Sequence, residues 1–265
     1  MLYLKIPLDD SDQSIFLEAF VPDKIGTFVR KAVLIIPGGA YKEVCCDREG
    51  EPIAQAFIPH GYAAFVLHYS VDRKKAFPGQ LIEAAKAIAH IKDHAQEYGI
   101  DADQLFVTGF SAGGHLAACT GILWKHSAIY EALDVPYGYI RPKGMILIYP
   151  VINEQFFSFC NLLCTDSPDK NQLETVQLDR HVDADTVPAF IMHTANDQIC
   201  PVSNALMLSN AMSVAGIPFE LHIYPDAPHG IALGNAITAG NVQKHNNAAI
   251  AQWIDLAANW AKNVE

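Results

Sequence analysis

Four short segments carry side chains whose types and spacing could perform acyl transfer through a nucleophilic serine. The first is Gly109-Phe110-Ser111-Ala112-Gly113, which fits the pattern G-x-S-x-G. A serine hydroxyl is a weak nucleophile until a base takes its proton. Between two glycines it can sit on a sharp turn from strand to helix that lifts the hydroxyl out of a sheet. A side chain at either flanking glycine would collide with the neighbouring strand or helix. The same five residues also suit an ordinary glycine-rich turn with a helix-capping serine, so the flanks must decide. Leu105-Phe106-Val107-Thr108 precedes them as a short strand, and His115-Leu116-Ala117-Ala118 follows as part of a helix predicted over 111–124.

The second segment is Pro37-Gly38-Gly39-Ala40-Tyr41, directly after the apolar run 32–36. Glycines let a backbone approach a reacting carbonyl closely. A backbone N–H from this loop, with that of Ala112 after the serine, could hold a developing oxyanion. Each such donor is worth on the order of 3 kcal/mol in the transition state. The third is Asp197, just past the apolar run 190–194. A carboxylate there could hold a histidine in one tautomer, or serve as a turn or N-cap residue. The fourth is His229, in Tyr224-Pro225-Asp226-Ala227-Pro228-His229-Gly230 after the last predicted strand. Among eleven histidines it stands in a Pro/Gly-bounded loop, whereas His193 and His222 lie within strands and His115 one turn into the serine helix, a packing position.

These residues need a frame. Segments 2–8 and 14–21 alternate like a hairpin around a polar Asp-Asp-Ser-Asp turn. Apolar segments at 32–36, 62–67, 105–108, 145–149 and 190–194 read as strands, the first of them a continuous run that suits a strand covered on both faces, and 219–224 completes the set. Between them, helices are predicted over 51–59, 79–98 with Gly99 as its stop, 111–124 and 242–261. Strand and helix alternation from residue 32 onward calls for an α/β fold, a mostly parallel central sheet with helices on both faces. The expected organisation is one domain over 1–265. Its long connection at 150–188 could form a small cap or lid, or a homodimer contact, and holds a short helix near 171–178.

Composition narrows the function classes. The chain has 265 residues, is 51% hydrophobic and carries a formal charge of −11. Its longest basic run is Arg73-Lys74-Lys75, which argues against nucleic acid as a partner. No apolar run approaches the ~18 residues that cross a bilayer, so no membrane association is expected. The six scattered cysteines show no CxxC or zinc-ligand spacing. With no signal-peptide pattern at the start, they suggest free thiols in a reducing cytoplasm.

The order Ser111, Asp197, His229 matches that of the α/β-hydrolase fold. Pro-Gly-Gly-Ala-Tyr, Gly-Phe-Ser-Ala-Gly-Gly-His-Leu and Tyr-Pro-Asp-Ala-Pro-His-Gly resemble segments of small bacterial esterases related to acetyl-xylan esterases and hormone-sensitive-lipase-like hydrolases. The resemblance runs from about residue 30 to the C-terminus. It takes in Arg48-Glu49-Gly50-Glu51-Pro52 and Gly216-Ile217-Pro218-Phe219-Glu220-Leu221-His222. It implies Ser111 as nucleophile, Asp197 and His229 as its partners, and Gly38, Gly39 and Ala112 around the oxyanion. The chain departs from the lipase-like branch in having Pro37 where that branch often has histidine, which alters the loop wall without removing a backbone donor.

The expected function is therefore hydrolysis of small acyl esters through an acyl-enzyme, with acetylated sugars as the substrates the resemblance implies. That chemistry requires no metal or organic cofactor. Tyr41 is a candidate substrate-binding residue. It and Phe156, Phe157 and Phe159 could line a pocket or belong to the core. No pair of carboxylates suggests sugar cleavage. A peptidase or amidase on the same fold, and a non-catalytic binding protein, are the alternatives from other classes.

Overall fold

The apolar runs become a sheet. The computed structural model of the protein describes residues 1–153 and 155–264. Its strands are β1 (Leu2–Pro7), β2 (Phe16–Val21), β3 (Arg30–Ile36), β4 (Tyr62–His68), β5 (Ile100–Phe110), β6 (Gly144–Ile148), β7 (Ala189–Thr194) and β8 (Phe219–Tyr224). Among the described residues they form one eight-stranded sheet in the order β1-β2-β4-β3-β5-β6-β7-β8. The pairs β1–β2 and β2–β4 are antiparallel and all the others parallel.

Alternate residues of each central strand enter different cores, as a two-residue period demands. Leu34, Val107, Leu147 and Ile191 face one core with Leu81, Ile88, Leu116, Leu208 and Met212. These come from helices α3 (Gly79–Asp93), α5 (Ser111–Ile122) and α9 (Ser203–Ala215). Val33, Ile35, Ile146 and Phe190 face the other with Ile53, Phe57, Trp253 and Ala257, from α2 (Glu51–Phe57) and α11 (Trp253–Lys262). The sheet is thus covered on both faces. The shorter helices are α1 (Cys46–Glu49), α4 (Ala95–Tyr98), α6 (Ser127–Ala132), α7 (Phe156–Leu162), α8 (Lys170–Val176) and α10 (Ala236–Ala239).

Several expected boundaries change. The helix predicted over 79–98 breaks at His94, which leaves helical geometry at φ −101°, ψ 16°. The strand expected at 105–108 begins earlier and runs into the serine turn. The helix predicted over 242–261 starts only at Trp253, after 3-10 turns at Gln243–His245 and Ile250–Gln252. Asn247 is the cause: its Oδ1 accepts the N–H groups of Ala249 and Ile250, an alternative to helix that asparagine offers its own backbone.

The connection 150–188 carries more structure than its sequence suggested; Glu154 within it lies outside the described residues. The helix expected near 171–178 is α8, whose N-terminus is closed by a capping box between Asp169 and Gln172. Helix α7 was not anticipated. Phe159, Leu162, Val176 and Leu178 tie the segment to the first core.

Candidate active site

Six loops leave the carboxyl ends of the adjacent parallel strands β4, β3, β5, β6, β7 and β8, the edge where open α/β sheets collect their sites. Strand β5 turns directly into α5 at Ser111, whose φ of +53° lies in the left-handed region. The flanking glycines are required sterically. A Cβ at Gly109 would meet the Gly113 carbonyl oxygen at 2.2 Å, and one at Gly113 would meet those of Ile36 and Pro37 at 2.2 and 2.3 Å.

Ser111 Oγ lies 2.8 Å from His229 Nε2, and His229 Nδ1 lies 2.7 Å from Asp197 Oδ2. Because an ionised carboxylate only accepts hydrogen bonds, Nδ1 carries the proton and Nε2 accepts from the serine hydroxyl. Asp197 is 5% exposed, and its Oδ1 accepts the Ile199 and Cys200 N–H groups at 2.9 Å each. Burial pushes its carboxyl up, but the hydrogen bond and charge of His229 and these two N–H donors outweigh burial and hold it below the usual carboxylate range.

The loop after β3 is held carbonyl by carbonyl. Pro37 O accepts the Tyr69 hydroxyl at 2.8 Å, Gly38 O accepts Cys45 N–H at 3.0 Å, and Gly39 O accepts Lys42 N–H at 2.9 Å. Ala40 O accepts Asn161 Nδ2–H at 3.0 Å and Tyr41 O accepts Asp72 N–H at 2.9 Å. In a trans peptide the N–H points opposite to the C=O. Pinning each carbonyl therefore aims the next N–H away from it. The Gly39, Ala40 and Ala112 N–H groups have no hydrogen-bond partner among the described residues.

Two sequence expectations are corrected here. Gly38 N–H is not free for an oxyanion, because it donates to Glu49 Oε2 at 2.8 Å. Tyr41 does not present its side chain to substrate. It is 1% exposed, donates or accepts at His115 Nδ1 (2.8 Å), and packs edge-on against Tyr69. The backbone on both sides of Tyr41 holds the glycine loop, and its ring fills the core beneath. The three phenylalanines divide: Phe157 lines the cavity beside Ser111, Phe159 is buried against His115, and Phe156 faces solvent.

That cavity, of about 390 Å³, contains Ser111, His229, Gly39 and Ala40, with Arg48, Phe157 and Ile199 on its walls. Sequence reasoning passed over Glu49 and Tyr149. Glu49 is 1% exposed and accepts the Tyr149 hydroxyl at 2.9 Å as well as Gly38 N–H. The Tyr149 ring lies edge-on to His229 with centroids 5.0 Å apart. A carboxylate in Arg48-Glu49-Gly50-Glu51-Pro52, so near the glycine loop, was the available signal. Among the described residues no group of three or more His, Cys, Asp or Glu side chains is arranged to hold a metal ion.

Known proteins share this architecture. The BD-FAE family model matches residues 17–212, and the dienelactone hydrolase family model matches 172–264. The chain is 34% identical over 214 residues to endo-1,4-beta-xylanase B of Butyrivibrio fibrisolvens, covering 78% of this chain and 33% of that protein. It is 29% identical over 213 residues to the acetylxylan esterase of Xylanibacter ruminicola, covering 77% of this chain and 42% of that protein. The chain thus spans well under half the length of both curated relatives. Among solved structures, an α/β hydrolase from a Medee basin deep-sea metagenome superposes with TM-score 0.81 at 32% identity, covering 100% of this chain and 98% of the other. An acetyl ester-xyloside bifunctional hydrolase from Caldicellulosiruptor lactoaceticus superposes with TM-score 0.83 at 28% identity, covering 98% and 96%. With the BD-FAE family model matching residues 17–212 and a solved α/β hydrolase superposing over its full length, the chain has the α/β-hydrolase fold and belongs to the BD-FAE family.

Proposed function

We propose that the protein is a carboxylic ester hydrolase that works through an acyl-serine intermediate at Ser111. The observation that carries this reading is the continuous hydrogen-bonded line from Ser111 Oγ through His229 to Asp197, at 2.8 and 2.7 Å. His229 Nε2 takes the hydroxyl proton as Ser111 attacks the ester carbonyl. Asp197 keeps the ring in the accepting tautomer and stabilises the imidazolium. The unpaired N–H groups of Gly39, Ala40 and Ala112 take the oxyanion. His229 then gives its proton to the departing alcohol, and water repeats the sequence on the acyl-enzyme.

A cavity of about 390 Å³ sits near the lower end for small-molecule sites and favours a short acyl group. Acetylated carbohydrate is the proposed substrate class, supported by likeness to the named acetylxylan esterase and acetyl ester-xyloside hydrolase. The xylanase likeness covers 33% of that protein and is not carried to this site.

The test is hydrolysis of p-nitrophenyl acetate by the purified protein and by Ser111→Ala. Loss of at least about 10⁴-fold in the variant, with circular dichroism unchanged, is the expected result. Equal rates would remove Ser111 from the reaction.

A further inference from the structure

We infer that Glu49 is a positioning residue that sets the direction of the Gly39 N–H toward the reacting carbonyl. This inference rests on the acyl-transfer reading above. Glu49 lies at the end of α1, fully buried, and spends both carboxylate oxygens on backbone and side chain around the site. Oε2 accepts Gly38 N–H at 2.8 Å and Oε1 accepts the Tyr149 hydroxyl at 2.9 Å. The Tyr149 oxygen in turn accepts Ala232 N–H at 3.1 Å, three residues past His229. One carboxylate therefore joins the glycine loop, the strand end after β6 and the histidine loop.

The Pro37–Gly38 peptide is gripped at both ends, its carbonyl by the Tyr69 hydroxyl and its N–H by Glu49. The next peptide, Gly38–Gly39, has its carbonyl held by Cys45 N–H and leaves the Gly39 N–H unpaired. Two glycines in succession would otherwise swing freely, and Gly39 itself has φ +126°. Glu49 holds the first peptide plane and Cys45 the second, so the turn at Gly38 between them is set from both sides. The fit is close: a Cβ on Gly38 would stand 2.7 Å from Phe110 O, 2.9 Å from Glu49 Oε2 and 3.0 Å from Ser111 Cβ. Gly38 is thus wedged between the serine turn and the carboxylate.

A neutral acceptor could hold a loop in place. A buried carboxylate costs far more to desolvate, and its hydrogen bonds are correspondingly stronger. Burial pushes the Glu49 carboxyl above its usual range, opposed in part by Arg48, whose Nε lies 3.8 Å from Oε1, and by the bonds from Gly38 N–H and the Tyr149 hydroxyl.

The experiment compares wild type, Glu49→Gln and Glu49→Asp on p-nitrophenyl acetate. Active sites are titrated with a fluorophosphonate, and Ser111→Ala serves as the unlabelled control. Labelling and turnover of the wild type test the acyl-transfer reading by themselves; the Glu49 variants test only the positioning role. A donor aimed at the transition state alone moves kcat and not KM. Glu49→Gln is expected to lower kcat per titrated site by about 30-fold with KM within about 2-fold. Glu49→Asp keeps the charge but falls one methylene short of Gly38, and a loss of kcat of at least about 5-fold with KM unchanged is expected. It decides the matter if the Gln variant does not fold. A kcat per titrated site within about 2-fold of wild type in either folded variant, even with a lowered Tm, would overturn the inference.

Discussion

The Asp197 carboxylate sits 2.7 Å from His229 Nδ1 while its other oxygen is tied to two backbone N–H groups, so it has no freedom to turn away from the ring. Replacing it by asparagine puts an amide N–H where only an acceptor suits Nδ1–H. The ring then favours the tautomer whose Nε2 carries hydrogen and cannot receive the serine proton. Asp197→Asn is expected to lower kcat roughly 10³- to 10⁴-fold, as in other triads of this type, with the fold intact. A kcat within about tenfold of wild type would mean that another group orients His229.

Ser111 occupies left-handed backbone at φ +53°, which costs a residue with a Cβ about 1 kcal/mol and glycine nothing. Ser111→Ala and Ser111→Gly both lose the hydroxyl and its bond to His229. Their difference in stability therefore reports the backbone alone. Urea unfolding should find Ser111→Gly more stable than Ser111→Ala by about 1 kcal/mol, despite glycine's greater freedom when unfolded. The reverse order would show that the turn is unstrained.

His115 is buried between Tyr41 and the Val176 carbonyl, to which its ring nitrogens lie 2.8 Å each. Burial pushes it down to about 4, against the opposing pull of the Val176 carbonyl. The folded value lies below that of an unfolded histidine, about 6.5. Its contribution to stability is therefore complete above about pH 6.5 and is lost as pH falls toward 4. Between pH 7 and pH 5 the wild type should lose on the order of 2 kcal/mol more than His115→Gln, measured by urea unfolding at each pH. Equal losses in the two proteins would assign the acid sensitivity elsewhere.

Phe157 and Ile199 stand on the cavity wall, both largely exposed, around a volume of about 390 Å³. A series of p-nitrophenyl esters should give the highest kcat/KM at about two to four acyl carbons, since longer chains must leave the cavity for water. A maximum at about eight or more carbons would contradict the short-acyl proposal.

The sequence by itself carried the local and the sequential features. Gly109 and Gly113 could be read as obligatory around Ser111 because their constraint is steric and lies within five residues. The central strands were legible because a strand covered on both faces must be apolar throughout. The order Ser111, Asp197, His229 and their places after the fifth, seventh and eighth strands followed from the same alternation, and the structure brings the three side chains together at 2.7 and 2.8 Å. What only the tertiary structure decided depends on partners far along the chain. Tyr41, beside a glycine loop, reads as a pocket residue; that its ring points inward is set by Tyr69 and His115, 74 residues away in the latter case. Gly38 reads as an oxyanion donor, but its N–H is claimed by Glu49. The meaning of Glu49 rests in turn on Tyr149, 100 residues later. A hydrogen bond at 2.8 Å is made or missed by less than one ångström of backbone movement. That distance is settled by how β3, α1 and β6 pack, and no spacing along the chain contains it.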